Sequence, residues 1–86
     1  MPRISSFYGI VITMYFSDHS PPHFHARYAE HEAKINTKTL AIANGSLPAR
    51  QLELVRRWAA LHRSELLANW KRARAGQDLT KIEPLR

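Results

Sequence analysis

Two periodicities divide the chain. From Phe7 to Ala43 apolar side chains fall in short blocks or on alternate positions, the period of a pleated strand; from Pro48 to Ala75 they recur every three or four residues, the period of a helix. The first block, FYGIVITMYF (7–16), is dense in β-branched and aromatic residues and predicts one strand buried on at least one face, with Gly9 marking a bulge or a close backbone approach. SDHSPP then stops it, because proline has no N–H to give a ladder and fixes its own φ. From His23 to Tyr28 the pattern alternates, placing Phe24, Ala26 and Tyr28 on one face and His23, His25 and Arg27 on the other. AEHE (29–32) reads as a polar turn, after which Ala33, Ile35 and Thr37 alternate against Lys34, Asn36 and Lys38 as a third strand antiparallel to the second. A short fourth strand, LAIA (40–43), ends in Asn44-Gly45, the dipeptide that most readily takes φ > 0 in a turn.

In the second half, Pro48 fits the first position of a helix, where its missing N–H is no loss, and Gly76 is placed to end the helical region. Leu54, Trp58 and Leu61 form one apolar stripe, with Val55, Ala59 and His62 beside it; Leu66, Leu67 and Trp70 form another, rotated from the first. The rotation, with Ser64 available as a cap, favours two helices over about 48–62 and 64–75 against one long helix. Trp58 and Trp70 then clamp the helices to the sheet. The expectation is one α+β domain over residues 1–86. Its small antiparallel sheet of about four strands (7–45) packs against two C-terminal helices (48–75), and an extended tail (77–86) carries Leu79, Ile82 and Leu85.

Composition changes this picture only at the margins. Eighty-six residues supply one core, and a chain of that size buries roughly 60–65% of the surface its unfolded form exposes. The absence of cysteine excludes a disulfide framework, a thiolate metal site and a cysteine nucleophile, and fits a reducing compartment. The apolar run from Tyr8 to Phe16 falls far short of the ~20 residues that span a bilayer, and MPRISS does not open a signal peptide, so a cytoplasmic protein without a membrane partner is expected. Thirteen Lys and Arg against seven Asp and Glu give a formal charge of +6, which makes a polyanion or an acidic protein the natural partner.

Taken in order, FYGIVITMYF, DHSPPHFHARY, the alternating third strand, LPARQLELVRRWAALH, ELLANW and the closing KIEPL resemble the bacterial family catalogued as domain of unknown function 4160. The resemblance covers nearly the whole chain. It implies a small α+β protein encoded beside a second small protein of the domain of unknown function 2442 type, the two forming a toxin–antitoxin-like module. It supplies no catalytic residue to carry over.

The residues themselves offer two chemistries. In a strand, His23 and His25 project from one face about 6–7 Å apart, and Asp18 or His19 can fold back across Pro21-Pro22 as a third metal ligand; such N/O donors suit zinc, iron, nickel or manganese. The structural alternative is a rigid corner in which the imidazoles hydrogen-bond loop carbonyls. A metal-free ribonuclease would use the same strand, with His23 or His25 as base and Arg27 stabilising the phosphate. No glycine-rich phosphate loop, paired carboxylates or triad supports a kinase, nucleotide-binding or other hydrolase reading. On the helices, Arg50, Arg56, Arg57, Arg63, Lys71, Arg72 and Arg74 form a basic set offset only by Glu53 and Glu65, suited to a partner protein, RNA or DNA, or else to a solvated face. The expected function is therefore that of an interaction protein binding a cognate small protein, with nucleic acid as a further partner; the alternative is a small ribonuclease or metal-dependent enzyme centred on His23 and His25.

Overall fold

The segment FYGIVITMYF is a hairpin where a single strand was expected. In a computed structural model, which describes residues 2–86, Arg3–Phe7 (β1) and Ile10–Thr13 (β2) pair antiparallel, with Phe7 opposite Ile10. Tyr8 and Gly9 make the connection with φ of +48° and +78°. Positive φ at both central residues gives the turn whose twist matches its flanking strands. Gly9 is thus a turn residue, and Ile4 and Phe7, both buried, add a strand upstream of the expected start.

Three more strands complete the sheet: His23–Tyr28 (β3), His31–Asn36 (β4) and Ile42–Gly45 (β5), in the order β1-β2-β3-β4-β5 and antiparallel throughout. The turn between β3 and β4 is only Ala29 and Glu30, so His31 and Glu32, expected in the turn, belong to a strand. Asn36 decides where β5 begins. Its side-chain oxygen accepts from the N–H groups of Lys38 and Thr39 at 2.8 and 3.0 Å, and its carbonyl accepts from Leu40 at 2.7 Å. An asparagine that satisfies the backbone two and three residues on competes with ladder pairing, and the fourth expected strand therefore moves from 40–43 to 42–45. Asn44-Gly45 is not a turn but a paired end, with Asn44 opposite Lys34 and Gly45 opposite Ala33.

Two helices follow, Ala49–Leu61 (α1) and Arg63–Arg74 (α2), within a residue or two of the expected bounds. Pro48 stands at the N-cap of α1, one position before its expected place. His62, not Ser64, caps α2, and its Nδ1 lies 2.6 Å from the Glu65 carboxylate one turn on. The core lies between one sheet face and the helices. Ile10, Ile12, Phe24, Ala26, Ala33 and Ile35 meet Val55, Trp58, Ala59, Leu66, Trp70 and Ala73, all buried. Trp58 sits 5.3 Å from the Phe7 ring and 6.0 Å from that of Phe24, and its indole N–H donates to the Glu83 carbonyl at 2.7 Å. The tail lies along the body. Ile82 N–H donates to the Ile4 carbonyl of β1 at 2.8 Å, and buried Asn69 of α2 both donates to the Thr80 carbonyl and accepts from its N–H, each at 2.8 Å. No helix among the described residues is long and apolar enough to cross a membrane.

Candidate functional site

The SDHSPP loop is pinned at both ends. Ser17 N–H donates to the Ala73 carbonyl of α2 at 3.2 Å, Arg74 reaches the Ser20 hydroxyl at 3.2 Å, and the Pro22 carbonyl accepts from Thr37 at 3.0 Å. Within it, Asp18 uses one carboxylate oxygen to accept from the His19 N–H at 2.9 Å and turns the other, Oδ2, toward β3. His23 opens β3 and is 2% exposed, with the Trp70 ring 5.0 Å away. Its Nδ1 lies 2.8 Å from the Pro21 carbonyl and its Nε2 2.8 Å from Asp18 Oδ2. A carbonyl only accepts, so Nδ1 carries a hydrogen. Nε2 then has two options against an ionised carboxylate: a second proton, making an imidazolium, or a lone pair with a cation in between.

His25 projects beside it, the two rings 5.4 Å apart, as expected of alternate residues in an extended strand. The edge of the Tyr15 ring packs 4.4 Å away, and the His25 side chain keeps 16% of its exposure. Its Nδ1 is 3.5 Å from Glu32 Oε2; its Nε2 is buried, lies 3.9 Å from Asp18 Oδ2 and has no hydrogen-bond partner among the described residues. Burial, and then the neighbouring His23, hold the His25 imidazole below its ordinary pKa, against the opposing carboxylates of Glu32 and Asp18. Burial alone would raise the Asp18 carboxyl, but the His19 N–H and the His23 hydrogen bond outweigh it and set the group below the usual carboxylate range. The Tyr15 phenol is pushed up, by burial first and then by Glu32.

Of the sequence-designated residues, the structure brings together Asp18, His23 and His25, whose ligand atoms all lie within 4.8 Å of one another. His19 is exposed and enters the cluster only through its backbone. Arg27 is exposed two residues further along β3, opposite Glu32 and outside the trio. Glu32 and Tyr15 complete the surroundings of His25 and were not visible as site residues. Only the cross-strand register, with Lys34 opposite His25 and Glu32 opposite Arg27, reveals the first of them. On the open side, His25 borders a shallow hollow of about 210 Å³ shared with Glu32, Lys34, Asn44 and Gly45.

The seven basic helix residues do not gather on one face. Arg56 and Arg63 donate to the carbonyls of Leu40 and Thr37 in the loop before β5, at 2.9 and 3.4 Å; Arg72 reaches Asn69 and Arg74 reaches Ser20. Lys71 is exposed. Arg50 and Arg57 turn elsewhere, to a groove of about 410 Å³ between α1, the tail and the β1–β2 turn, where Leu54 and Leu85 are half-buried and Arg86 joins the rim. Tyr8, held on the hairpin turn, is 60% exposed over this groove. Nothing in the apolar pattern singled it out, because a tyrosine inside a strand-like run reads as core.

No match was found among curated proteins or among solved structures. The sequence profile described as domain of unknown function (DUF4160) matches residues 9–71, a span running from the hairpin glycine through the His23–His25 corner and α1 to the last turn of α2. On that match the chain belongs to the DUF4160 family.

Proposed function

We propose that the protein is an interaction module, one half of a bacterial toxin–antitoxin-like two-gene pair, and that it docks an acidic, apolar-anchored segment of its cognate small protein. The observation that carries this reading is the groove at Tyr8. It combines an exposed aromatic ring, an aliphatic floor from Leu54 and Leu85, and a rim in which Arg50 has no acidic partner among the described residues while Arg57 and Arg86 are only surface-paired with Glu53 and Glu83. Tyrosine and arginine around an apolar centre are the residue types on which binding energy concentrates, and exposed pairs of this kind contribute little and exchange readily. The rival reading, a ribonuclease centred on His23, His25 and Arg27, has less support, because both nitrogens of His23 are engaged and its ring is buried under Trp70.

The test is isothermal titration of the purified chain with the product of the adjacent gene. Binding is expected, with Tyr8→Ala and the double change Arg50→Glu, Arg57→Glu each weakening it at least tenfold, and with the arginine change acting more strongly at low salt. Failure of the adjacent product to bind, or affinity indifferent to both changes, would refute the reading. So would preferential capture of RNA by the same groove.

A further inference from the structure

We propose that Asp18, His23 and His25 form a binding site for one divalent transition cation, with zinc the ion best suited to two imidazole nitrogens and one carboxylate oxygen. The orientation of the rings supports this independently of any partner at the Tyr8 groove. Each histidine turns Nδ1 outward to an oxygen, the Pro21 carbonyl at 2.8 Å for His23 and the Glu32 carboxylate at 3.5 Å for His25, and turns Nε2 inward toward Asp18. Metal-ligating histidines are held with the far ring N–H given to a carbonyl or carboxylate so that the near nitrogen presents a lone pair; His23 has that hydrogen bond, and Glu32 stands at ion-pair distance from His25.

A proton does not complete the arrangement. An imidazolium at His23 satisfies Asp18 Oδ2 but leaves the buried His25 Nε2 with nothing to bond. A single cation among the three atoms satisfies all of them. In a tetrahedral zinc site neighbouring donor atoms stand about 3.3 Å apart, given bonds of about 2.0–2.2 Å. Asp18 Oδ2 now lies 2.8 Å from one nitrogen and 3.9 Å from the other. A pivot of Asp18 away from His23 and toward His25, on the order of half an ångström, equalises the two, and the imidazole nitrogens, which with Oδ2 lie within 4.8 Å of one another, close on the ion by rotation of the His25 ring. Asp18 can make that move, since it stands on a loop and its side chain retains a quarter of its exposure, which also gives the ion a way in and leaves a fourth position for water. The two lower-lying features of the site, Pro21-Pro22 and Trp70, fix His23 as the rigid member.

The experiment uses the full chain, purified without a histidine tag and stripped with chelator, then titrated with Co²⁺ and Zn²⁺. One equivalent of Co²⁺ is expected to develop the visible absorption of a four- or five-coordinate ion, which one equivalent of Zn²⁺ abolishes while raising the thermal midpoint. His25→Gln and Asp18→Asn should each weaken binding at least tenfold, whereas His19→Ala and His31→Ala should leave it unchanged. A readout that needs no variant is the proton spectrum of the unaltered protein, in which Co²⁺ should give the ring signals of His23 and His25 the large contact shifts of coordinated imidazoles and those of His19 and His31 only the smaller through-space shifts of nearby rings. No absorption at micromolar excess of Co²⁺, undiminished binding by His25→Gln and Asp18→Asn, or equal shifts at all the histidines would overturn the proposal.

Discussion

Gly45→Ala tests whether β5 is held by close backbone approach. Gly45 has φ of +76°, and a Cβ built on it would lie 2.1 Å from the Glu32 carbonyl oxygen, which itself accepts from Ser46 N–H at 3.1 Å. Placing alanine in the left-handed region costs about 1–2 kcal/mol. The clash adds to it, because the neighbour is backbone and cannot rotate away; β5 must retreat from β4, giving up a hydrogen bond with a net contribution of about 0.5–1.5 kcal/mol. Together these come to about 1.5–3.5 kcal/mol, against a total stability of about 4–13 kcal/mol for a chain of this length. At about 4–8 °C per kcal/mol the thermal midpoint should fall by about 6–28 °C. Gly76→Ala is the internal control. Its φ is +73°, nearly the same, but a Cβ there meets nothing within 4 Å, so it should cost only the conformational part. Urea unfolding of the three proteins, followed by circular dichroism, gives both differences. Equal destabilisation by the two alanines would refute the account of β5.

Two further perturbations address the tail and the helix clamp. Asn69→Ala strips Thr80 of both its side-chain partners and should cost about 2–4 kcal/mol, with tryptic cleavage at Lys81 accelerating well beyond that at Lys38; unchanged cleavage would show that Asn69 does not hold the tail. Trp58→Phe removes the donor to the Glu83 carbonyl and part of the packing against Phe7 and Phe24, for a loss of about 2–3 kcal/mol in chemical denaturation. A loss under about 0.5 kcal/mol would mean that neither contact matters.

The helices were legible because their apolar positions repeat over several turns, but the buried face is turned from the expected stripes: of Leu54, Trp58 and Leu61 only Trp58 is buried and Leu61 is exposed, while Val55 and Ala59 beside it enter the core, and in the second helix Leu66 and Trp70 are buried with Ala73 where Leu67 is half-buried. The alternation of β3 was equally plain for Phe24 and Ala26 in the core and for His25 and Arg27 away from it, whereas Tyr28 is only half-buried and His23, expected on the open face with His25, is buried by the loop and Trp70. Turns were the weak point. Tyr8-Gly9 turns the chain although Tyr8 looks like a strand residue, while Asn44-Gly45, which looks like a turn, ends a strand; in each case pairing partners elsewhere in the chain decide, and local preference does not. The candidate site divides along the same line. Asp18, His23 and His25 lie within eight consecutive residues and could be grouped by spacing, whereas Glu32 and Tyr15 reach His25 only through the strand register and the return of the chain after β2. The groove under Tyr8 joins residues from both ends of the chain and from α1, and nothing local marks it.

The hydrogen bond from Ile82 to Ile4 has an effect on how this sheet can associate. With the tail lying against β1, and Lys81 also reaching the Arg3 carbonyl, that margin is blocked to any further strand, while β5 pairs only with β4 among the described residues. A sheet with two free margins can extend without limit into a fibril; one with a single free margin can join at most one other, and the joined pair is closed. The fold therefore carries its own terminator of β-polymerisation, built from the residues that follow the second helix.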